Sequence, residues 1–250
     1  MKLAIITAHA GSDSVKDAVG SWIPNGRNLP DEAFDVSVNS VSEIMTDPPV
    51  FIVNGKRGML DAYEIGFRKY SDYDVLAFLH DDTIIHDPNW LDRVLKEFED
   101  PAVGLVGFGG ALKHGDPDMY KKPYNYSQLG RSHFLSNMED AEVHGKRFTD
   151  SCDVAVLDGF ALIFRRSVLD KFGWGLDTPC QYIGYDYRAC CLTHRHGYKI
   201  RLAGIKCAHL GGRTFVKMGL GLQPGHWERF LAAHRFLYDE FKDVLPWSVI

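Results

Sequence analysis

The chain has 250 residues, 45% of them apolar and 24% charged, with a formal net charge of -5. That length sits at the upper end of what one hydrophobic core supports, and the balance is that of a folded globular protein and not of a disordered one. Basic residues form no run longer than the pairs Lys121-Lys122 and Arg165-Arg166, so the electrostatic footprint of duplex recognition is missing.

No apolar run approaches the roughly 20 residues needed to span a bilayer, and the opening MKLAIITAHAGSD lacks the pattern of a signal peptide. A cytoplasmic location without a transmembrane segment is therefore expected. Five cysteines (Cys152, Cys180, Cys190, Cys191 and Cys207) show no C-x-x-C spacing, and their odd number leaves at least one unpaired within the chain. They read as small apolar core residues in a reducing compartment.

In chain order, KLAIIT (2–7) predicts a buried strand, the turn-forming AHAGSDS follows, and VKDAVGSWI predicts a short helix. FDVSVNSV (34–41) alternates as a strand does, and PVFIVN is a further buried strand. Met59, Tyr63, Gly66, Phe67 and Tyr70 then share one helical face. YDVLAFL (73–79) is an apolar strand. After it, Asp87 and Pro88 suit the start of a helix whose stripe is Trp90, Leu91, Val94, Leu95 and Phe98.

AVGLVGF returns as a strand, while residues 113 to about 151 are polar, aromatic-rich and without clear period. VAVLDGFALIFRR (154–166) restores strand character, YDYRACCLTHRHG reads as a helix closed by Gly197, and YKIRLAGIKCAHL gives one or two strands ending at His209. A glycine-rich stretch (211–225) precedes a helical tail with Trp227, Phe230, Leu231, His234 and Leu237 on one stripe, which fits packing onto the core better than a membrane surface. Strands alternating with helices imply a mostly parallel sheet covered on both faces, with ligands bound outside the carboxyl ends of its strands.

His80, Asp81 and Asp82 lie at such an end. Carboxylates there suit a hard divalent cation completed by substrate phosphates, or they simply end a strand and open a turn; both readings fit this segment alone. Asp186 alone reads as an acid at a helix N-terminus, and His209 alone as a core histidine.

The segment YSDYDVLAFLHDDTIIHDPNWLDRVLKEFEDPAVGLVG resembles the middle of a family 2 glycosyltransferase of the GT-A fold, in which a strand ends in an Asp-x-Asp motif. KLAIITAHAGSDSVKDAVGSWI is similar to the family's first strand and helix, VNGKRGMLDAYEIGF to its strand, glycine turn and helix, and VLDGFALIFRRSVLDKFGWGLD to its acceptor-side strand. YIGYDYRACCLTHRHGYKIRLAGIKCAHLGG is similar to the acidic motif, the Gly-Tyr-Lys turn and the terminal histidine. The likeness runs in consistent order over about residues 1–212.

It implies a GT-A fold, a three-layer α/β/α arrangement with a mostly parallel mixed sheet, in one domain resembling the bacterial or phage-like members. Residues 1–112 would be the nucleotide-sugar half, 113–212 the acceptor-side half, and 213–250 a lid loop and helix. It also implies Asp82 and His209 as ligands of Mn²⁺ or Mg²⁺, Asp186 as general base, and Thr7, His9, Asn39, Arg57, Gly58 and Asp81 on the donor side. The implied substrates are a nucleoside-diphosphate sugar and a hydroxyl acceptor of a glycan, lipid-linked saccharide, protein or modified nucleic-acid base.

The sequence departs from the family pattern in places. His80 stands where the first aspartate is usual, which favours Mn²⁺ over Mg²⁺ if it binds. Val38-Asn39-Ser40 replaces the acids that read nucleobase and ribose, and Tyr185 replaces the acid that often precedes the base. Residues 211–227, with Arg213 and Lys217, read as a lid over the donor or as a solvated loop. A retaining transferase, a nucleotidyltransferase and a non-catalytic sugar-binding relic are the alternatives; TAHAGSDSVK makes a poor nucleotidyltransferase phosphate loop.

Overall fold

The computed structural model describes residues 1–23, 29–37, 39–55, 58–115, 134–141, 145–210 and 225–249. The strands are β1 (Leu3–His9), β2 (Val41–Ile44), β3 (Val50–Asn54), β4 (Val75–Leu79), β5 (Thr83–Ile85), β6 (Val103–Gly107), β7 (Gly109–Ala111), β8 (Lys113–His114), β9 (Phe134–Ser136), β10 (Lys146–Arg147), β11 (Ser151–Asp153), β12 (Val156–Leu157), β13 (Ala161–Arg165), β14 (Lys199–Ala203), β15 (Cys207–His209) and β16 (Trp247–Ser248). The helices are α1 (Val15–Trp22), α2 (Met59–Lys69), α3 (Trp90–Glu97), α4 (Arg166–Leu169), α5 (Tyr185–Arg195) and α6 (His226–Phe241).

Eight strands form a central sheet in the order β11-β14-β6-β13-β4-β1-β3-β2. Strands β1, β3, β4, β6 and β14 run one way, while β2, β11 and β13 run against them. The inner strands are apolar without alternation because both faces are covered. Ile5, Val75 and Ala77 face one side with Ala18, Trp22 and Val94 from α1 and α3. Ala4, Ile6, Leu76 and Phe78 face the other with Leu60, Tyr63 and Ala189 from α2 and α5. The result is the expected α/β/α sandwich. Gly66 lets α2 lie against β1, since a Cβ there would come within 2.5 Å of Ile6.

Helix α6 packs on α5 through Ala233, Leu237 and Phe241 against Cys191 and Leu192. All five cysteines are free thiols, four of them buried. Among the described residues, no helix is long and apolar enough to cross a membrane.

Two local expectations are corrected and a third is refined. FDVSVNSV is not a strand over its length: Asp31–Phe34 form a 3-10 turn and β2 begins only at Val41. The Asp35 carboxylate accepts the Ser37 N–H at 2.8 Å, and the Asn54 amide donates to the Ala33 carbonyl at 2.9 Å, so local polar groups compete with a ladder. Helix α3 starts at Trp90, not Pro88, because the Asp87 carboxylate takes the Asn89 N–H at 3.0 Å in a turn before it. Finally, VAVLDGFALIFRR is two strands in two sheets: β12 pairs with β7, while β13 joins the central sheet.

Candidate active site

The break between β12 and β13 brings Asp158, Gly159 and Phe160 to the carboxyl end of β4, where the His80 N–H donates to the Phe160 carbonyl at 3.0 Å. Asp81 and Asp82 occupy a tight turn closed by the Thr83 N–H on the His80 carbonyl at 3.1 Å, the kind of position that favours aspartate. The next strand, β5, pairs antiparallel with β15 in a register that sets Thr83 opposite His209. The indole of Trp22 anchors this hairpin by donating to the Thr83 carbonyl at 2.7 Å. Sequence-distant Asp82 and His209 are therefore neighbours by strand register.

Nε2 of His209 lies 3.4 Å from Oδ1 of Asp82. The His209 ring stacks on Phe160, with centroids 4.7 Å apart and planes 17° apart. Ligand atoms of His80, Asp82 and His209 all fall within 4.8 Å of one another, the one such cluster among the described residues. Asp82 is buried, and its Oδ1 has no hydrogen-bond partner among the described residues. Apart from the His209 imidazole 3.4 Å away, that oxygen meets no donor among the described residues, and a buried carboxylate is costly unless a charge completes it, so two imidazoles and one carboxylate at this spacing fit a divalent cation.

Burial works to lower the His209 imidazole, but Asp82 and Asp158 outweigh it and raise it, so without a cation His209 and Asp82 form an ion pair. Burial works to raise the Asp82 carboxyl, but His209 and His80 outweigh it and hold the carboxyl below its usual value. Burial, assisted by His209, pushes His80 down to about 4, which keeps the imidazole neutral as a ligand requires. Nε2 of His80 is 2.8 Å from the Tyr185 hydroxyl, which fixes the ring. Tyr185 itself sits over Gly159, where an added Cβ would collide with its hydroxyl.

Asp186 follows Tyr185 in the first turn of α5 and is half-buried. Its Oδ1 accepts the Tyr187 N–H at 2.9 Å and its Oδ2 the Gly159 N–H at 3.2 Å. Burial first, and then the neighbouring Asp158 charge, push its carboxyl up to about 7 against the lowering effect of those N–H groups. A carboxylate so placed can take a proton near neutral pH.

Among the residues expected on the donor side, Nδ1 of the buried His9 pairs with Oδ2 of Asp81 at 2.7 Å, joining the end of β1 to the turn after β4. Thr7 is fully buried in β1, and its hydroxyl has no partner among the described residues. Asn39 is exposed and packs closely on Gly55, and Gly58 precedes α2 at the surface. Arg57, Arg213, Lys217 and the loop read as a lid (211–224) lie outside the described residues. Sequence reasoning does not single out Asp158, Phe160 or the His80–Tyr185 bond. The Asp-Gly pair inside an otherwise apolar run is the signal that points to the first two.

A family model described as "Glycosyltransferase like family" matches residues 44–215, more than half of the chain. No curated protein matches it. Among solved structures, the mannosyltransferase PcManGT from Pyrobaculum calidifontis, in complex with GDP-Man and Mn²⁺, superposes with a TM-score of 0.52 at 14% identity, covering 95% of this chain and 70% of that one. GalNAc-T7, with UDP, GalNAc and Mn²⁺, superposes with a TM-score of 0.58 at 12% identity over 97% of this chain. This chain spans 50% of the length of GalNAc-T7. At such identities the likeness is one of fold.

Proposed function

From the premise that this chain belongs to the glycosyltransferase-like family and has the GT-A fold, we propose that it moves a sugar from a nucleoside-diphosphate sugar to a hydroxyl acceptor, with inversion at the anomeric carbon. The observation that carries the reading is a cation-fitting cluster of His80, Asp82 and His209 beside a proton-avid Asp186, all at the carboxyl end of β4.

In this reading Asp82, His209 and His80 hold the cation. When bound, it neutralises the charge that builds on the departing nucleoside diphosphate. Two nitrogen donors favour Mn²⁺ over Mg²⁺, and Mn²⁺ is the ion named with both fold relatives. Asp81, held by His9, faces the donor together with Asn39 and Gly58.

The acceptor hydroxyl gives its proton to the Asp186 carboxylate as its oxygen forms the new bond to the anomeric carbon. The bond from that carbon to the diphosphate oxygen breaks on the opposite face. Phe160, stacked on His209, and Tyr185, buried between His80 and Gly159, hold the two halves of the site in fixed relation.

The test is a panel of nucleotide sugars with the purified protein, read by thermal shift and by slow donor hydrolysis, with and without Mn²⁺. One donor class should raise the melting temperature only when Mn²⁺ is present, since a ligand at about 100 times its Kd adds ~2.7 kcal/mol. NMR of the transfer product should show the inverted anomer. Stabilisation by every donor alike without Mn²⁺, or parental turnover in Asp186→Asn, contradicts the proposal.

A further inference from the structure

Asp158 is an acidic side chain whose charge acts both on the cation-fitting cluster and on Asp186, and to which the proposed reaction assigns no task. It sits in the break between β12 and β13, and its backbone is fixed by its own N–H on the Gly109 carbonyl at 2.9 Å and by the β7–β12 ladder before it. The next residue donates its N–H to Asp186, and the one after stacks on His209. Gly159 between them has no room for a side chain, so Asp158 and Asp186 are held close by a segment with little freedom to adjust.

We propose that Asp158 is a positioning residue of the reacting site, which acts through Asp186 by keeping a second negative charge beside it. The inference rests on the reading of Asp186 as the base. Two like charges close together cannot both ionise easily, so a charge on Asp158 raises the proton affinity of Asp186. The groups facing Asp186 are Asp158 from the loop before β13, Tyr185, Tyr187 and Cys190 from α5, and Cys180 from the loop before α5. None of these is cationic, while the Asp158 charge also acts on the His80 and His209 imidazoles of the cluster. After burial, Asp158 is the largest influence on Asp186, ahead of the three backbone N–H contributions that oppose it.

A purely structural role predicts something else. Oδ1 of Asp158 accepts the Phe160 N–H at 3.3 Å, a turn-forming bond that asparagine reproduces. Asp158→Asn therefore keeps the turn and removes the charge. Should that variant fail to fold, Asp158→Ser also offers an oxygen to the Phe160 N–H.

The experiment is a ¹³C-carboxyl NMR titration of aspartate-labelled protein, with the Asp186 signal assigned through Asp186→Asn, alongside the Mn²⁺ dissociation constant of each variant. In Asp158→Asn, Asp186 should bind its proton about tenfold more weakly, a midpoint lowered by about one pH unit, with a smaller loss of Mn²⁺ affinity because Asp158 also acts by charge on His80 and His209. Asp158→Glu should restore the midpoint. An unmoved Asp186 midpoint overturns the proposal, as does a loss of Mn²⁺ affinity in place of the shift, which would put Asp158 on the cation. The titration needs no substrate, so its failure is separate from that of the base reading, which parental turnover in Asp186→Asn would show.

Discussion

Replacing Asp186 by Asn should stabilise the protein while disabling it, with a gain that depends on pH. The Asp186 carboxyl is raised from 3.8 to about 7, so the folded state binds its proton more tightly than the unfolded chain does. Folding stability must then fall as pH rises from about 4 to about 7, and level off above, because the folded state has to give up a proton it prefers to keep. About 3 units at 1.36 kcal/mol each sets a ceiling of about 4 kcal/mol. Asp186 keeps some exposed surface, so screening takes this to roughly half, or about 2 kcal/mol.

Asparagine removes that term, but it can accept fully only one of the two backbone N–H groups that Asp186 now takes. That loss is independent of pH. The pH-dependent part of the difference is therefore the quantity to measure. Thermal melts of parent and variant from pH 4 to pH 9 should diverge in favour of Asn by roughly 4–8 °C between the ends of the range. Turnover should fall by about 10²–10⁴-fold. A melting difference that stays flat with pH, or turns against Asn as pH rises, refutes the claim that Asp186 is held protonated near neutrality by its surroundings.

Tyr185→Phe removes the hydroxyl that fixes His80 and should weaken Mn²⁺ binding about 10–100-fold, measured by electron paramagnetic resonance; unchanged affinity would detach His80 from the cation. Gly159→Ala places a methyl against the Tyr185 hydroxyl and should cost about 1–3 kcal/mol in urea melts while reducing turnover by more than tenfold. Full activity in that variant would show that the Asp158–Phe160 segment has room to move. Parental turnover in the parent protein at pH 5 relative to pH 8 is excluded by a base with a pKa of about 7, so a pH–rate profile should show its acid limb there.

Much of the fold is legible in the sequence because both faces of the inner sheet are buried. Runs such as KLAIIT and YDVLAFL have no polar face to present, and they become β1 and β4 within a residue or two. The stripe at Met59, Tyr63 and Gly66 marks α2, though Leu60 and Ala62 are buried as well. What composition does not reveal is where a run is cut. The apolar stretch 154–166 has strand character, and Asp158-Gly159 is only two residues of punctuation, yet those two residues redirect the chain from one sheet to another. FDVSVNSV misleads in the opposite way: its alternation is real, but the Asp35 carboxylate takes the Ser37 N–H locally instead of leaving it to a ladder.

The approach of Asp82 to His209 is a matter of register. Which residue of β15 faces Thr83 is set by the pairing of Cys207 with Ile85, and no spacing along the chain encodes it. Likeness of motif order suggests the pairing, and the hairpin geometry places the two side chains 3.4 Å apart. The bond from His80 to Tyr185 spans 105 positions and joins two departures from the family pattern, each of which looks isolated in sequence. Together they replace an acidic pair with a neutral imidazole steadied by a phenol.

Crystals grown with Mn²⁺ and a nucleoside diphosphate, with diffraction recorded at the manganese absorption edge, test the central claim most directly. The account predicts one anomalous peak within about 2.0–2.3 Å of an Asp82 oxygen and of Nε2 of His209, with phosphate oxygens completing its shell and the Asp186 carboxylate facing the same cleft. A peak elsewhere, or nucleotide bound with no manganese beside Asp82, contradicts it.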